Sequence, residues 1–494
     1  MKRRIEFLLK SLILIGVTCV CVILTNDVLV PKYTDDTNFP TSATYKGFYE
    51  MERDSIDVIF LGSSRASCAF SPQELYNVYG IRSYNLGCEM QNVLVSYYWL
   101  KEALRFQNPK VVVLETGMIF PYRTDEPLNT SIECTRKALD YMKWSSVKVQ
   151  AVSDICNYDK TQSWESYAFP NIQYHDRWEE LSKNDFMQNE LYGNLKLKGQ
   201  TVLCNFYHDW ENKGLFESSE SRDKEKMHDV METYLNKLVS LCEEKNIELV
   251  LVSAPCAFDS VEKYNALQEY SKNNNLLFID YNEKSQYDQV GYDYVTDNAE
   301  YHHVGINGAK KLTAHLGNVF QSEFGIINEK DEQWEVSQSY YEQINKENNL
   351  REVYRIEEYL EKLDNVNYTV FIVAQNVYGL EEIPLNIKNS MKKLGMTDNF
   401  WQKDSGNRYY AIINENSVVE KNHHEPIGIN GTLLKGGVQY SLTSDVYESS
   451  IKIDNIEYSK CMEGLNIVVY SNSSKRVVDS SVMVFENDES YLVR

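Results

Sequence analysis

Short apolar runs ending in small or polar residues, separated by amphipathic stretches, constrain this chain more than any other feature. Ile56-Asp57-Val58-Ile59-Phe60-Leu61 stops at Gly62, and Ser83-Tyr84-Asn85-Leu86 stops at Gly87. Lys110-Val111-Val112-Val113-Leu114-Glu115, Ile247-Glu248-Leu249-Val250-Leu251-Val252 and Leu276-Leu277-Phe278-Ile279-Asp280 repeat the pattern. Such runs read as strands buried on both faces. Between them lie helical stretches over residues 91–106, 226–245 and 261–273, with a closing helix over 307–324. A further helix begins at Ser71-Pro72-Gln73-Glu74, with Ser71 as cap, Pro72 in the first turn and Glu74 behind it. Strands alternating with helices predict a parallel sheet inside a three-layer α/β/α domain over residues 54–325. Residues 120–225 are polar and aromatic, and read as an insertion over that sheet.

The rest of the chain divides by composition. Its 494 residues exceed one ordinary core. Residues 31–53 read as a juxtamembrane linker and 326–364 as a charged helical spacer. From 365 to 494 the period becomes that of strands, with one helix over 385–394, which predicts a separate β-rich sandwich.

The N-terminus opens Met1-Lys2-Arg3-Arg4 and is then apolar from Phe7 to Val30, uninterrupted from Leu12 to Leu24. Residues 1–30 therefore predict a membrane anchor or a signal peptide. No small-x-small cleavage site follows, and Lys10 can reach back to the basic flank, which favours the anchor. The basic cluster puts the N-terminus in the cytoplasm and the remainder outside it.

A formal net charge of −22 argues against a nucleic-acid partner, since phosphate contacts need a basic face. The 36 tyrosines suit stacking on sugars, though core packing uses the same residue. Ten cysteines show no zinc-ligand spacing, so no metal is expected, and no cofactor motif occurs.

Two distant segments carry chemistry. Phe60-Leu61-Gly62-Ser63-Ser64-Arg65 places a serine at the C-terminal edge of a parallel strand, where side chains face the ligand crevice. Gly62 permits the tight turn, and the N–H groups after it can face an oxyanion. Glu300-Tyr301-His302-His303 precedes the closing helix, with an acid three residues before His303 that can orient its imidazole. Alone, each also reads as an ordinary loop.

Taken together, these segments resemble the SGNH/GDSL hydrolases, and within them the membrane-anchored subgroup of the lipoteichoic-acid D-alanylation D-protein and the alginate acetylation proteins. The resemblance implies Ser64 as nucleophile, His303 as base and Glu300 as its orienting acid, where the family usually has Asp. It implies an oxyanion hole from the N–H groups of Ser64 and Gly87. The block-three Asn has no secure counterpart, and Gln91 or Asn92 is the candidate amide. Glu115 ends the strand where that block is sought, either as an anion opposing the oxyanion or as a structural carboxylate. Arg65, together with His175, Arg177 and Trp178 of Tyr174-His175-Asp176-Arg177-Trp178, are candidate substrate contacts, weighed against a buried aromatic beside a surface ion pair.

The C-terminal region resembles the ILEI (interleukin-like EMT inducer) domain. The matching residues are Tyr368-Thr369-Val370-Phe371-Ile372-Val373, Met391-Lys392-Lys393-Leu394-Gly395, Tyr409-Tyr410-Ala411-Ile412-Ile413 and, most specific, Gly464-Leu465-Asn466-Ile467-Val468-Val469-Tyr470 followed by Val477-Val478-Asp479-Ser480. This implies a glycan-binding accessory role or a plain docking role. The expected function is extracytoplasmic O-acylation, notably O-acetylation, of a cell-surface polysaccharide or teichoic acid. The resemblance supplies a membrane-bound O-acyltransferase as the partner that delivers the acyl group. A carbohydrate esterase with the same triad and a non-catalytic glycan-binding scaffold are the alternatives.

Overall fold

The structure, a computed structural model, describes residues 2–32, 41–181, 183–186, 196–203, 214–326, 331–377, 383–401, 408–415, 417–433, 437–445, 447–486 and 489–494. Parts of the expected linker (33–40), insertion (187–195, 204–213) and spacer (327–330) lie outside the described residues. The chain forms two compact units, Met1–Gln338 and Ser339–Arg494.

The first unit begins with α1 (Lys2–Leu29) and α2 (Thr41–Phe48). There follow β1 (Val58–Leu61), α3 (Ser64–Ala69), α4 (Pro72–Tyr79), β2 (Ser83–Asn85), α5 (Val93–Ala103) and β3 (Val111–Glu115). The insertion holds α6 (Ile132–Leu139), α7 (Ser146–Tyr158), α8 (Trp164–Ala168), α9 (Asn171–Tyr174), a 3-10 turn (His175–Glu179) and α10 (Lys183–Phe186). Helix Asp229–Lys245, β4 (Glu248–Ser253), helix Val261–Asn273, β5 (Leu277–Asp280) and helix Ile306–Phe324 complete the α/β rhythm.

The five strands form one parallel sheet in the order β2-β1-β3-β4-β5. Alternation along the strands builds two cores. Ile59, Leu61, Val112, Leu114, Leu249 and Leu251 pack with α2, α5 and helix Asp229–Lys245. Val58, Phe60, Val111, Val113, Val250 and Val252 pack with α3, α4 and helix Ile306–Phe324. Both faces are therefore covered, and the expected three-layer α/β/α architecture is present.

Two connectors carry more core packing than their composition suggests. The linker contains α2, whose Tyr45 stacks on Trp99 at 4.2 Å and whose Phe48 meets Tyr84 edge-on, so these rings belong to the core. The spacer segment is helical as expected, and it also contributes apolar side chains to a core. Leu350, Val353, Ile356, Tyr359, Leu360 and Leu363 lie in the core of the second unit. Polar residues between them masked this stripe, strongest in the helix Ile356–Leu363.

The second unit packs two antiparallel sheets. The first runs β15-β14-β13-β6-β7-β8 and the second β12-β11-β10-β9. Their ranges are β6 Tyr368–Gln375, β7 Arg408–Asn414, β8 Ser417–His423, β9 Ile427–Thr432, β10 Gln439–Ser444, β11 Ser449–Ile453, β12 Ile456–Glu457, β13 Gly464–Ser471, β14 Arg476–Glu486 and β15 Glu489–Val493. Phe371, Val373, Ile412 and Val468 face Ile427, Leu442, Ile451 and Ile453 between the sheets. Helix Leu385–Leu394 covers the opposite face of the larger sheet through Ile387 and Met391.

Among the described residues, α1 is the one helix long and apolar enough to cross a membrane, over Arg3–Asn26. Lys10 reaches back one turn to Glu6 at 2.9 Å.

Candidate active site

The nucleophile loop is built at the end of β1. Gly62 adopts φ +139°, and a Cβ there would lie 2.8 Å from the Glu115 Cβ and 3.1 Å from that of Ala66. Only glycine fits this turn. Ser63 then caps α3: its Oγ accepts from the Arg65 N–H at 3.2 Å, and its carbonyl accepts from the N–H groups of Ala66 and Ser67. Ser63 in turn donates to Glu115 at 3.1 Å. Ser64 is thereby fixed as the first residue of α3, its side chain turned to the other segment.

That segment is a closed loop between Asn298 and Val304, which form an isolated antiparallel bridge. The Ala299 N–H donates to the His303 carbonyl at 2.9 Å, and Asn298 Nδ2 donates to the Glu300 carbonyl at 2.9 Å. Tyr294 donates to the Tyr301 carbonyl at 2.8 Å, and so does the Ala257 N–H, at 3.0 Å. This anchoring aims His303 back over the sheet edge.

The two segments meet. His303 Nε2 lies 2.8 Å from Ser64 Oγ, and His303 Nδ1 hydrogen-bonds Glu300. The residues are 239 positions apart in sequence, so only the closing of the α/β domain joins them. The His303 side chain is 13% exposed and that of Glu300 48%. His302 instead stacks on Phe258 at 4.5 Å, and burial, then the neighbouring His303, hold its imidazole below its usual basicity.

Three proposed oxyanion contacts take different positions. Gly87 packs under the nucleophile loop, where a Cβ would come 2.9 Å from the Ser67 nitrogen, and its N–H donates to Asn85 Oδ1 at 3.0 Å. It is thus committed to Asn85 rather than open to an oxyanion. Gln91 is buried, with Nε2 donating to the Leu86 carbonyl and to Ser96 Oγ, and Oε1 accepting from Tyr45. Asn92 caps α5 through the Val95 N–H and donates to the Leu128 carbonyl. Gln91 thus uses both amide N–H groups within the β2–α5 region, and the buried Asn92 uses its oxygen for the α5 cap and one N–H on Leu128.

Arg65 is also engaged within the protein. Its guanidinium binds Asp259 at 2.6 Å and lies 3.1 Å from Glu115, with 11% of the side chain exposed. Glu115 is the structural carboxylate of the two readings, held by Arg65, Ser63 and the Gly117 N–H. Burial pushes its carboxyl above the usual range, while Arg65 pulls the other way. Asp259, in the loop after β4, carries no local sequence signal and escaped the sequence reading.

His175, Arg177 and Trp178 lie elsewhere. Their 3-10 turn packs against α1. Arg177 donates to the Leu29 carbonyl at 2.6 Å and to Asp185 at 2.8 Å, so its fork is filled from within the protein. His175 pairs with Asp176 at the surface, and Trp178 is exposed.

No family model matches the chain, and no curated protein matches it. Among solved structures it is similar to a GDSL-like lipase from Bacteroides thetaiotaomicron, at 10% identity over 57% of this chain and 99% of that one, with a TM-score of 0.27. It is also similar to a protein from Bacteroides fragilis described as an acylhydrolase, at 10% identity over 56% of this chain and 93% of that one, with a TM-score of 0.26.

Proposed function

We propose that this chain is an extracytoplasmic serine acyltransferase that O-acylates, notably O-acetylates, a cell-surface polysaccharide or teichoic acid. The observation that carries the reading is the Ser64–His303–Glu300 chain of contacts at the edge of the parallel sheet. In the proposed reaction His303 Nε2 takes the Ser64 proton as Oγ attacks an ester or thioester carbonyl. Glu300 holds the imidazole in the tautomer that leaves Nε2 free to accept and stabilises the imidazolium. The Ser64 N–H is the proposed oxyanion donor, because Ser63 already takes those of Arg65, Ala66 and Ser67. Collapse expels the leaving group, which takes its proton from His303. An acceptor hydroxyl, deprotonated by the same base, then attacks the acyl-serine, and collapse breaks the bond to Ser64 Oγ, which leaves with the proton from His303.

The membrane end of the reading rests on α1, with Lys2, Arg3 and Arg4 as its cytoplasmic flank. A membrane-bound O-acyltransferase is the proposed source of acyl groups, and the second unit is proposed as an ILEI-like glycan-binding module.

The test uses full-length protein in detergent with p-nitrophenyl acetate, beside Ser64→Ala and His303→Ala. Nitrophenol release lost in both variants, with acetyl mass trapped on Ser64 in the parent, supports the reading. Transfer of acetyl to an added oligosaccharide marks a transferase, whereas release to water alone marks an esterase. Folded protein that neither releases nitrophenol nor takes label on Ser64 counts against catalysis and favours a glycan-binding scaffold.

A further inference from the structure

The insertion carries exposed apolar side chains beside the C-terminal end of α1. Phe169 is 51% exposed, Ile172 53%, Trp178 66% and Phe186 66%. Phe169 directly precedes Pro170 at the start of α9, and the other three lie on α9, the 3-10 turn and α10, all of which pack against α1.

Polar contacts fix the height of this patch along α1. The Asn171 N–H donates to Asn26 Oδ1 at 3.0 Å, and Asn171 Nδ2 donates to Thr25 Oγ1 at 3.0 Å. Arg177 donates to the Leu29 carbonyl. Asn26 is the last residue of the apolar span, while the span itself is bare of protein contact over most of its length. With about 1.5 Å of rise per residue, Thr25 to Leu29 covers roughly 6 Å, the depth of a bilayer's interfacial layer rather than of its core. Aromatic side chains favour that layer.

We propose that residues 169–181 and 183–186 form a membrane-docking surface, which seats the α/β unit on the outer leaflet instead of leaving it on a free tether. This rests on α1 being a membrane anchor. The occupant is the lipid interface, because the patch continues outward from the end of the span. Binding is apolar and is not strengthened by anionic lipid: Asp176, Glu179 and Glu180 are exposed, and Arg177 is held by Asp185.

The test reconstitutes the full chain in phosphatidylcholine vesicles carrying a diazirine near the top of the acyl chain. After irradiation, lipid adducts are mapped by mass spectrometry. Adducts on α1 and on peptides holding Phe169, Ile172 and Trp178 are expected. A variant with Phe169→Ser, Ile172→Ser, Trp178→Ser and Phe186→Ser, all at exposed positions, should lose the adducts in this segment and keep those on α1. Adducts on α1 alone, or spread evenly over the ectodomain, would overturn the docking surface. Adducts on neither would remove the anchor itself, a separate failure.

Discussion

At the scale of the residue, the site depends on a buried charge cluster that touches no reacting atom. Arg65 pairs with both Asp259 and Glu115, and Ser63 hangs on Glu115 one position before Ser64. Removing one member of a buried ion pair strands the others. Arg65→Ala is expected to cost about 3–5 kcal/mol of stability, read as a lowered denaturation midpoint. Glu300 acts through His303, and as a half-exposed carboxylate it is partly screened. Glu300→Gln should reduce turnover of p-nitrophenyl acetate by roughly 10²-fold, short of the loss in His303→Ala, with KM little changed. A third carboxylate, Asp280, is pushed up to about 7 by burial and then by the neighbouring Asp259 charge. Its folded-state affinity for protons exceeds that of the unfolded chain, so the native state binds more protons between about pH 4 and 7. Stability from this group therefore falls as pH rises through that window. Asp280→Asn should remove that negative slope, as urea midpoints measured across the pH range would reveal.

At the scale of the element, the β1–α3 turn sets the geometry. The positive φ of Gly62 and the nearness of Glu115 leave no room for a side chain. Gly62→Ala should destabilise by roughly 1–3 kcal/mol from the backbone alone and displace Ser64 from His303. The expected outcome is a lower thermal midpoint together with loss of acetyl labelling on Ser64. Gly87 shows how a motif glycine can be retained for another reason. The sequence points to its N–H, but the structure uses its missing side chain, letting the β2 end lie against Ser63 and Ser67. The helices of residues 339–364 make a related point. Their polar spacing conceals an apolar stripe that becomes evident only where the sheet accepts it.

At the scale of the whole molecule, the chain is two units with separate cores, and the boundary falls after Gln338. A fragment spanning residues 339–494 retains Leu350, Ile356, Tyr359 and Leu363 for its core, whereas one spanning 365–494 lacks them. The longer fragment is expected to melt cooperatively by circular dichroism and the shorter to show no cooperative transition. Equal melting of the two would show that these helices are dispensable.

Much of this was legible in sequence because it depends on local periodicity. Stretches such as 111–114 and 249–252 are apolar at every position, which specifies strands covered on both sides. The Ser71 cap, the strand-ending Gly62 and the apolar N-terminus are equally local. Ser64, His303 and Glu300 could be nominated because their neighbours form recognisable segments. What tertiary structure decided was partnership. Whether Gln91 faces a substrate or the Leu86 carbonyl, whether Arg65 meets a ligand or Asp259, and whether Arg177 is open or closed on Asp185 depend on residues distant in sequence. A side chain's hydrogen-bonding capacity is written in its identity, but its use is set by whichever group packing brings within about 3 Å.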